Sequence, residues 1–434
     1  MNVAIVGGGW AGMAAAVRAA RDGHAVTVFE AARTLGGRAR ALAATLPDGT
    51  PVTLDNGQHI LIGAYTDTLR LMRTVGVDPD TALLRLPLAL GFPDGTGLAL
   101  PDLPTPLDAL AGILGARGWH WRDKLALLRT ARRWQRDGFA CAPHTTVADL
   151  CTPLTPRLRD EFIEPLCVSA LNTPTARASG QVFLRVLQDA LFGPRGGSNL
   201  LLPRTDLGAL FPEPAARWLA QRGGHVHTGC RIRHVQRDAA GWRLVGDAPP
   251  ADAPQVFDRA ILAISASNSA QALVESSKFA TEIEAAQMLR WAVSAQALGF
   301  EAITTVYAWQ PGARLSRPML ALRATPSAPA QFVFDRGQLG GPAGLLALVV
   351  SASQGEREAL QTAVLAQGAA QLGLPNLQPV QTVVEKRATF ACTPGLQRPP
   401  HAIVPGLWAC GDHCEGPYPA TLEGAVRSGW SRAA

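Results

Sequence analysis

The first apolar residues change period within a short stretch. Asn2 to Val6 is an unbroken apolar run that reads as a buried strand, Gly7 to Gly12 as a turn, Met13 to Asp22 as an alanine-rich helix, and His24 to Glu30 as a second strand. Together they form one βαβ unit. Further on, two short alternating runs between Leu84 and Leu100 flank the turn signal Pro93-Asp94-Gly95 and predict a hairpin outside that unit. Residues 105 to about 220 take helical periodicity, broken by clusters such as Pro194 to Gly197. Residues 224 to 264 return to short strands, with Gly224 to Val235 reading as a strand pair. Ala302 to Trp309, Gln331 to Phe334, Gly344 to Ser351 and Thr382 to Ala391 predict strands of a second sheet. Residues 406 to 434 close the chain with a strand, a glycine turn and a helix.

The first turn, Gly7-Gly8-Gly9-Trp10-Ala11-Gly12, satisfies GxGxxG between a strand and a helix. In that setting Gly7 makes the tight turn, Gly9 lets backbone approach a pyrophosphate, and Gly12 lets the helix pack on the strand, with Trp10 and Ala11 beside the phosphates. Glu30, 18 residues after Gly12, stands where a carboxylate accepts hydrogen bonds from a ribose diol. The sequel Arg33-Thr34-Leu35-Gly36-Gly37-Arg38 adds a second glycine pair and an arginine that simple NAD dehydrogenases do not need, and favours FAD. The fold class that follows is α/β, a Rossmann-like FAD-binding domain interleaved with a substrate domain of mixed sheet plus helical cap. Residues 1–80, 205–265 and 392–434 are expected in the first, and 81–204 and 266–391 in the second.

Composition narrows the classes. With 47% hydrophobic and 17% charged residues over 434 positions, the chain lies far from the profile of disorder and can bury a large core. The net charge of +6 comes almost wholly from arginine. No zinc-finger, basic-zipper or aromatic RNA-binding signature accompanies it, so no nucleic-acid partner is expected, and an anionic membrane surface is the better candidate. Seven scattered cysteines without a CxxC pair indicate neither a disulfide framework nor a metal site and fit a reducing cytosol. There is no signal-peptide pattern at Met1 and no long uncharged apolar run, so a cytoplasmic location without a membrane span is expected.

At the far end, Leu407-Trp408-Ala409-Cys410-Gly411-Asp412 ends a strand in a Gly-Asp pair, and Pro419 to Ala425 opens the last helix. With the run Glu30 to Arg38, these segments make the chain resemble the FAD-linked superfamily of amine oxidases, carotenoid desaturases and protoporphyrinogen oxidases. The resemblance implies FAD as cofactor, Gly411 and Asp412 near its pyrophosphate and ribityl groups, and Thr421 and Leu422 at the flavin edge. It also implies the Ile232 backbone at the adenine. Closer still, Asp55 to Gly63, Pro165-Leu166-Cys167, Leu171 to Pro174, Phe334-Asp335-Arg336, Glu385 to Phe390 and Pro419 to Gly429 resemble the squalene-associated FAD-dependent desaturases. These are the hydroxysqualene dehydroxylases of bacterial hopanoid pathways. That likeness implies reduction of an apolar C30 isoprenoid alcohol to squalene, and it leaves the electron donor, reduced nicotinamide or a redox protein, open.

Such chemistry needs a protonated or hydrogen-bonded leaving oxygen and a dry site. The segment Gly57-Gln58-His59 follows the Gly37-Arg38 contact and should run along the flavin. His59 has two readings, a proton donor or a histidine satisfied by backbone, while Asp55 reads as a buried structural acid. Asn172 either orients the hydroxyl or simply ends a helix before Thr173-Pro174. Cys410 and Cys414 read as small buried side chains. Leu110 to Arg136 mixes leucine and tryptophan with arginine, either as an interfacial helix at the inner face of the cytoplasmic membrane or as a helical cap with a basic face. Two alternatives share the fold: a carotenoid or phytoene-type desaturase running hydride the other way, and a non-catalytic prenyl-lipid carrier, against which the intact segment Gly411 to Gly424 argues.

Overall fold

Two sheets meet across a cleft in this computed structural model, which describes residues 1–104, 106–247 and 254–431. The first has six strands in the order His225–Thr228, Ala25–Glu30, Asn2–Val6, Arg259–Leu262, Leu407–Ala409 and Ala402–Val404. All neighbours are parallel except the last pair. From Val3 to Val6 the central strand is apolar because both its faces are covered. Val3 and Ile5 join Met13, Ala14 and Val17 of the helix Trp10–Arg21, whereas Ala4 and Val6 join Trp242, Phe257, Leu273 and Met288 on the opposite side. The carboxyl ends Val6, Glu30, Leu262 and Ala409 share one edge, where open α/β sheets take their ligands.

The helix begins at Trp10, earlier than the expected Met13. Gly9 caps it in an extended conformation and its carbonyl accepts the Met13 N–H at 2.9 Å. Its alanines let the closing helix Leu422–Trp430 approach backbone to backbone, so that a Cβ placed on Gly429 would meet Ala11 O at 2.1 Å. Residues 432–434, expected at the end of that helix, lie outside the described residues.

The second sheet is antiparallel, in the order Met319–Ala321, Phe332–Asp335, Leu345–Ser351, Phe300–Trp309 and Gln378–Phe390. Period-two alternation on the fully buried strand Leu345–Ser351 feeds two cores. Leu345, Ala347 and Val349 pack toward the cleft side with Phe332 and Phe334, and Leu346, Leu348 and Val350 pack on the other face with Leu320 and Val364. Met319–Ala321 was too short to announce itself by periodicity.

Four expectations need correction. The hairpin is narrower than Leu84 to Leu100: Ala89–Gly91 pairs with Gly97–Ala99, and Leu83–Leu86 joins Leu200–Pro203. Pro87, without an N–H, separates the two ladders. Gly224 to Val235 is no strand pair: His225–Thr228 lies parallel to Ala25–Glu30, the chain turns at Gly229, and Ile232–Asp238 pairs with Gly241–Gly246. The helices Ala266–Ser276 and Glu282–Gln296, expected with the substrate domain, turn Ala270, Leu273, Met288, Trp291 and Ala295 onto the nucleotide sheet. Leu110 to Arg136 is not one helix but two, Leu107–Gly115 and Trp121–Arg136, parted by Gly118 at φ 79°.

Replacing Gly429 by valine is expected to destabilise the protein by about 2 kcal/mol or more, because the nearest obstacle is main chain that cannot rotate away. Urea unfolding measures this, and an unchanged midpoint would refute the close packing of the two helices.

Candidate functional site

The two glycine turns at the sheet edge are fastened to each other by main chain. Gly36 N–H donates to Gly8 O at 2.9 Å, and Gly9 and Gly36 form a parallel bridge. Gly7 holds φ at +114° with Ala263 O only 2.4 Å from where a Cβ would stand, so no other residue fits there. Gly12 does not line the cleft; it lies under the turn, where a Cβ would strike Gly7 O at 2.0 Å. Gly9 is different, since a Cβ there would meet nothing closer than 3.8 Å. That space belongs to the cleft. With no side-chain cap on the helix Trp10–Arg21, its first N–H groups stay free for an anion. The Glu30 carboxylate accepts from Gly8 N–H at 2.6 Å and Ala32 N–H at 2.7 Å, which holds it at the cleft rim.

The far wall comes from the end of the chain. The Arg38 guanidinium donates to Asp412 Oδ1 at 2.5 Å and to Ala388 O at 2.6 Å. Burial alone would raise the Asp412 carboxyl, but the Arg38 charge and the neighbouring His413 outweigh it and hold Asp412 well below the usual carboxylate range. Thr421 caps the helix Leu422–Trp430 by accepting the Gly424 N–H at 3.0 Å. Glu423, buried, accepts the N–H groups of Asp67 and Thr68 at 3.1 and 2.9 Å and so pins this helix to the start of the helix Thr66–Thr74. A second helix N-terminus therefore opens on the cleft.

Between these walls lies a cavity of about 950 Å³. Gly7, Gly9, Trp10, Ala11, Glu30, Gly36, Gly37, Arg38, Gly57, Gln58, His59, Ile232, Gly411, Asp412, Thr421 and Leu422 all line it. Arg33 does not: it is exposed and faces away, because the chain turns back only at Gly36. Sequence reasoning missed His413. It is buried, lines the cavity, and its Nε2 has no hydrogen-bond partner among the described residues. An orphaned buried nitrogen, an open Gly9 and the uncapped N–H groups of the helix Trp10–Arg21 fit a dinucleotide with a polar linker. The motif Gly-Asp-His could have flagged His413 only through that missing partner, which sequence does not display.

The cavity continues into apolar ground. Ile60, Val168, Ile303, Phe332, Phe334 and Val349 line it beyond the glycine turns. His59 sits at the junction, with Nδ1 2.7 Å from Gly57 O. A carbonyl only accepts, so Nδ1 carries the proton and Nε2 of the neutral ring is an acceptor without a partner among the described residues. Burial lowers its pKa, the Gly57 bond opposes this, and the Arg38 charge adds to the lowering. Asn172 ends the helix Glu164–Leu171 in the left-handed region at φ 47° and has a committed side chain. Its Nδ2 donates to Thr389 Oγ1 at 2.9 Å and its Oδ1 accepts the Ala352 N–H at 2.6 Å. Asp55 lies beneath, accepting the Leu207 N–H at 2.8 Å. Cys410 and Cys414 are buried and their thiols are pushed up by that burial, which makes them inert.

Burial raises the Asp55 carboxyl to about 6, and the Leu207 hydrogen bond and Arg336 charge only partly offset it. The folded chain thus holds a proton, between the ordinary value near 3.8 and this raised value, that the unfolded chain releases. Stability consequently falls as pH rises through that window and stays lower above it, by on the order of 3 kcal/mol. Asp55→Asn keeps the Leu207 contact and cannot ionise. Its unfolding free energy should exceed the parent's by about 1–3 kcal/mol above neutrality and converge with it near pH 4. A pH-independent difference would contradict the assignment.

Comparison with known proteins agrees with this geometry. Residues 10–434 match the family described as flavin containing amine oxidoreductase. A hydroxysqualene dehydroxylase of Rhodopseudomonas palustris is 28% identical over 462 residues, covering 99% of this chain and 96% of that protein. One of Sinorhizobium fredii is 26% identical over 451 residues, with 99% and 96% covered. The crystal structure of an oxidoreductase from Methanosarcina mazei superposes with a TM-score of 0.72 at 16% identity, covering 99% of each chain, and so shares the fold. The cradle built by Gly7, Gly9, Arg38 and Asp412 fits the FAD of this family, and the chain belongs to the flavin containing amine oxidoreductase family as an FAD-dependent oxidoreductase.

Proposed function

We propose that the protein removes the hydroxyl of hydroxysqualene reductively to give squalene, a step toward hopanoids and other triterpenoids. The observation that carries this reading is the single cavity in which Ile60, Val168, Ile303, Phe332, Phe334 and Val349 prolong the FAD cleft with an apolar wall. A long hydrocarbon fits such a wall, whereas a charged amine would be desolvated there without a partner. The names of the two dehydroxylases to which the chain is similar along nearly its whole length support the same substrate class.

The reaction exchanges an allylic C–O bond for C–H, taking one hydride and one proton and releasing water. Reduced FAD supplies the hydride, its electrons coming from a reduced nicotinamide or a reduced redox protein. The chain supplies the rest. The phenylalanines and aliphatic residues exclude water that would recapture the developing allylic cation. His59, at the junction of polar and apolar walls, accepts a hydrogen bond from the substrate hydroxyl when neutral and donates a proton to the leaving oxygen when charged. Asn172 acts by holding the helix end and the Ala352 loop in place, since its amide is already bonded to Thr389 and Ala352.

With His59 as donor, the active form is the protonated ring. Because burial lowers its pKa below the ordinary 6.5, turnover should rise as pH falls through the range below neutrality. His59→Gln should lose at least about tenfold in kcat and flatten that profile. An anaerobic incubation with hydroxysqualene and dithionite-reduced protein reads squalene directly. Absence of squalene, or desaturation of an added isoprenoid instead, overturns the reading; an unchanged pH profile in His59→Gln removes that residue from proton transfer.

A further inference from the structure

We propose that the helix Leu107–Gly115, with Trp121 at the start of the next helix, is the surface by which the protein docks on an anionic lipid bilayer. Leu107, Leu110 and Leu114 recur at i, i+3 and i+7 and form one stripe along the helix. They are 53%, 40% and 56% exposed, and Trp121 is 68% exposed. The opposite face is fully used: Ile113 is buried, and Gly112 lies so close to Leu100 that a Cβ would meet its side chain at 2.4 Å. Lys124 Nζ donates to Leu114 O at 2.6 Å and ties the two helices into one projecting hairpin. Among the described residues no element covers the apolar stripe.

Charge chooses the occupant. Arg117 and Arg122, in the turn after the stripe and beside Trp121, are exposed and form no ion pair among the described residues, and the same is true of Arg129 and Arg132 farther along the second helix. Arg122 leans over the Trp121 ring at 5.7 Å, the pairing that suits a tryptophan at the headgroup level with an arginine among phosphates. Asp123, on the same helix, is turned inward to Thr155 and His120 and does not offset this charge. Ile283, Leu289 and Val293 are also exposed on the helix Glu282–Gln296, but they do not share one face, and the charges beside them, Glu282 and Arg290, are of opposite sign. Within Leu110 to Arg136, Trp119, Leu127 and Trp134 are buried, so the contact lies on the helix Leu107–Gly115 and at Trp121 rather than along the basic helix. The helix rests on the strand Gly97–Ala99, and that hairpin leans on the strand Met319–Ala321 of the sheet that walls the cavity.

This deepens the proposed function only in naming the phase from which a C30 alcohol would be drawn. Binding is read without substrate, so its failure and the failure of the product assay stand apart. The holoprotein is floated with vesicles of phosphatidylglycerol and phosphatidylcholine, and with phosphatidylcholine alone, at low and high salt. Flotation is expected on the anionic vesicles, weakened by salt and by neutral lipid. The Leu110→Asp, Leu114→Asp double variant should reduce the bound fraction by about tenfold or more while keeping its flavin. Arg117→Glu with Arg122→Glu, wholly on the surface, should do the same, and Leu289→Asp with Val293→Asp should bind as the parent does. No flotation on anionic vesicles, equal flotation of the leucine variant, loss through the Leu289 pair instead, or dimerisation through the leucine stripe in lipid-free solution would each overturn the proposal.

Discussion

The charge pair Arg38–Asp412 joins the two ends of the chain across the cofactor cleft. Arg38 and Asp412 stand 374 residues apart in sequence, and their contact closes the cradle that neither the glycine turns nor the closing helix forms alone. Asp412 is 8% exposed on its side chain, so the pair sits where removing one partner would leave the other charge without compensation. The Arg38 guanidinium also bonds Ala388 at the end of the long strand Gln378–Phe390, which ties the nucleotide sheet to the antiparallel sheet at the same point. The polar and the apolar walls of the cavity are thereby set in one frame.

The frame divides the cavity chemically. Toward the nucleotide sheet it offers free helix N–H groups, carboxylates and a His413 nitrogen without a partner among the described residues; toward the second sheet it offers phenylalanine, valine and isoleucine. His59 stands at the boundary with its Nδ1 proton committed to Gly57. Burial also drives His59 toward its neutral form, so in the proposed reaction proton delivery and water exclusion would work against each other there.

Much of the nucleotide half was legible because each of its residues answers a backbone demand. Gly7 needs a positive φ, Gly12 needs absence of a Cβ, and the alternation of Val3, Ile5 with Ala4, Val6 needs two covered faces. Arg33 shows the limit of motif reasoning: it shares the run with Arg38, yet only the turn at Gly36 decides which arginine points inward. What sequence could not display was pairing between distant segments. Leu83–Leu86 left its neighbour for Leu200–Pro203, and the helices at 266–296 chose the nucleotide sheet because their apolar faces match it. The role of Asn172 was likewise hidden, since its partners Thr389 and Ala352 lie about two hundred residues away.

FAD affinity of the Arg38→Met variant tests the clasp most directly. Apoprotein titrated with FAD, followed by quenching of flavin fluorescence, should show a Kd at least about a hundredfold weaker than the parent's, with Arg38→Met, Asp412→Asn no weaker than Arg38→Met alone. Parent-like binding by Arg38→Met, with the fold intact, would contradict the claim that this pair closes the cradle.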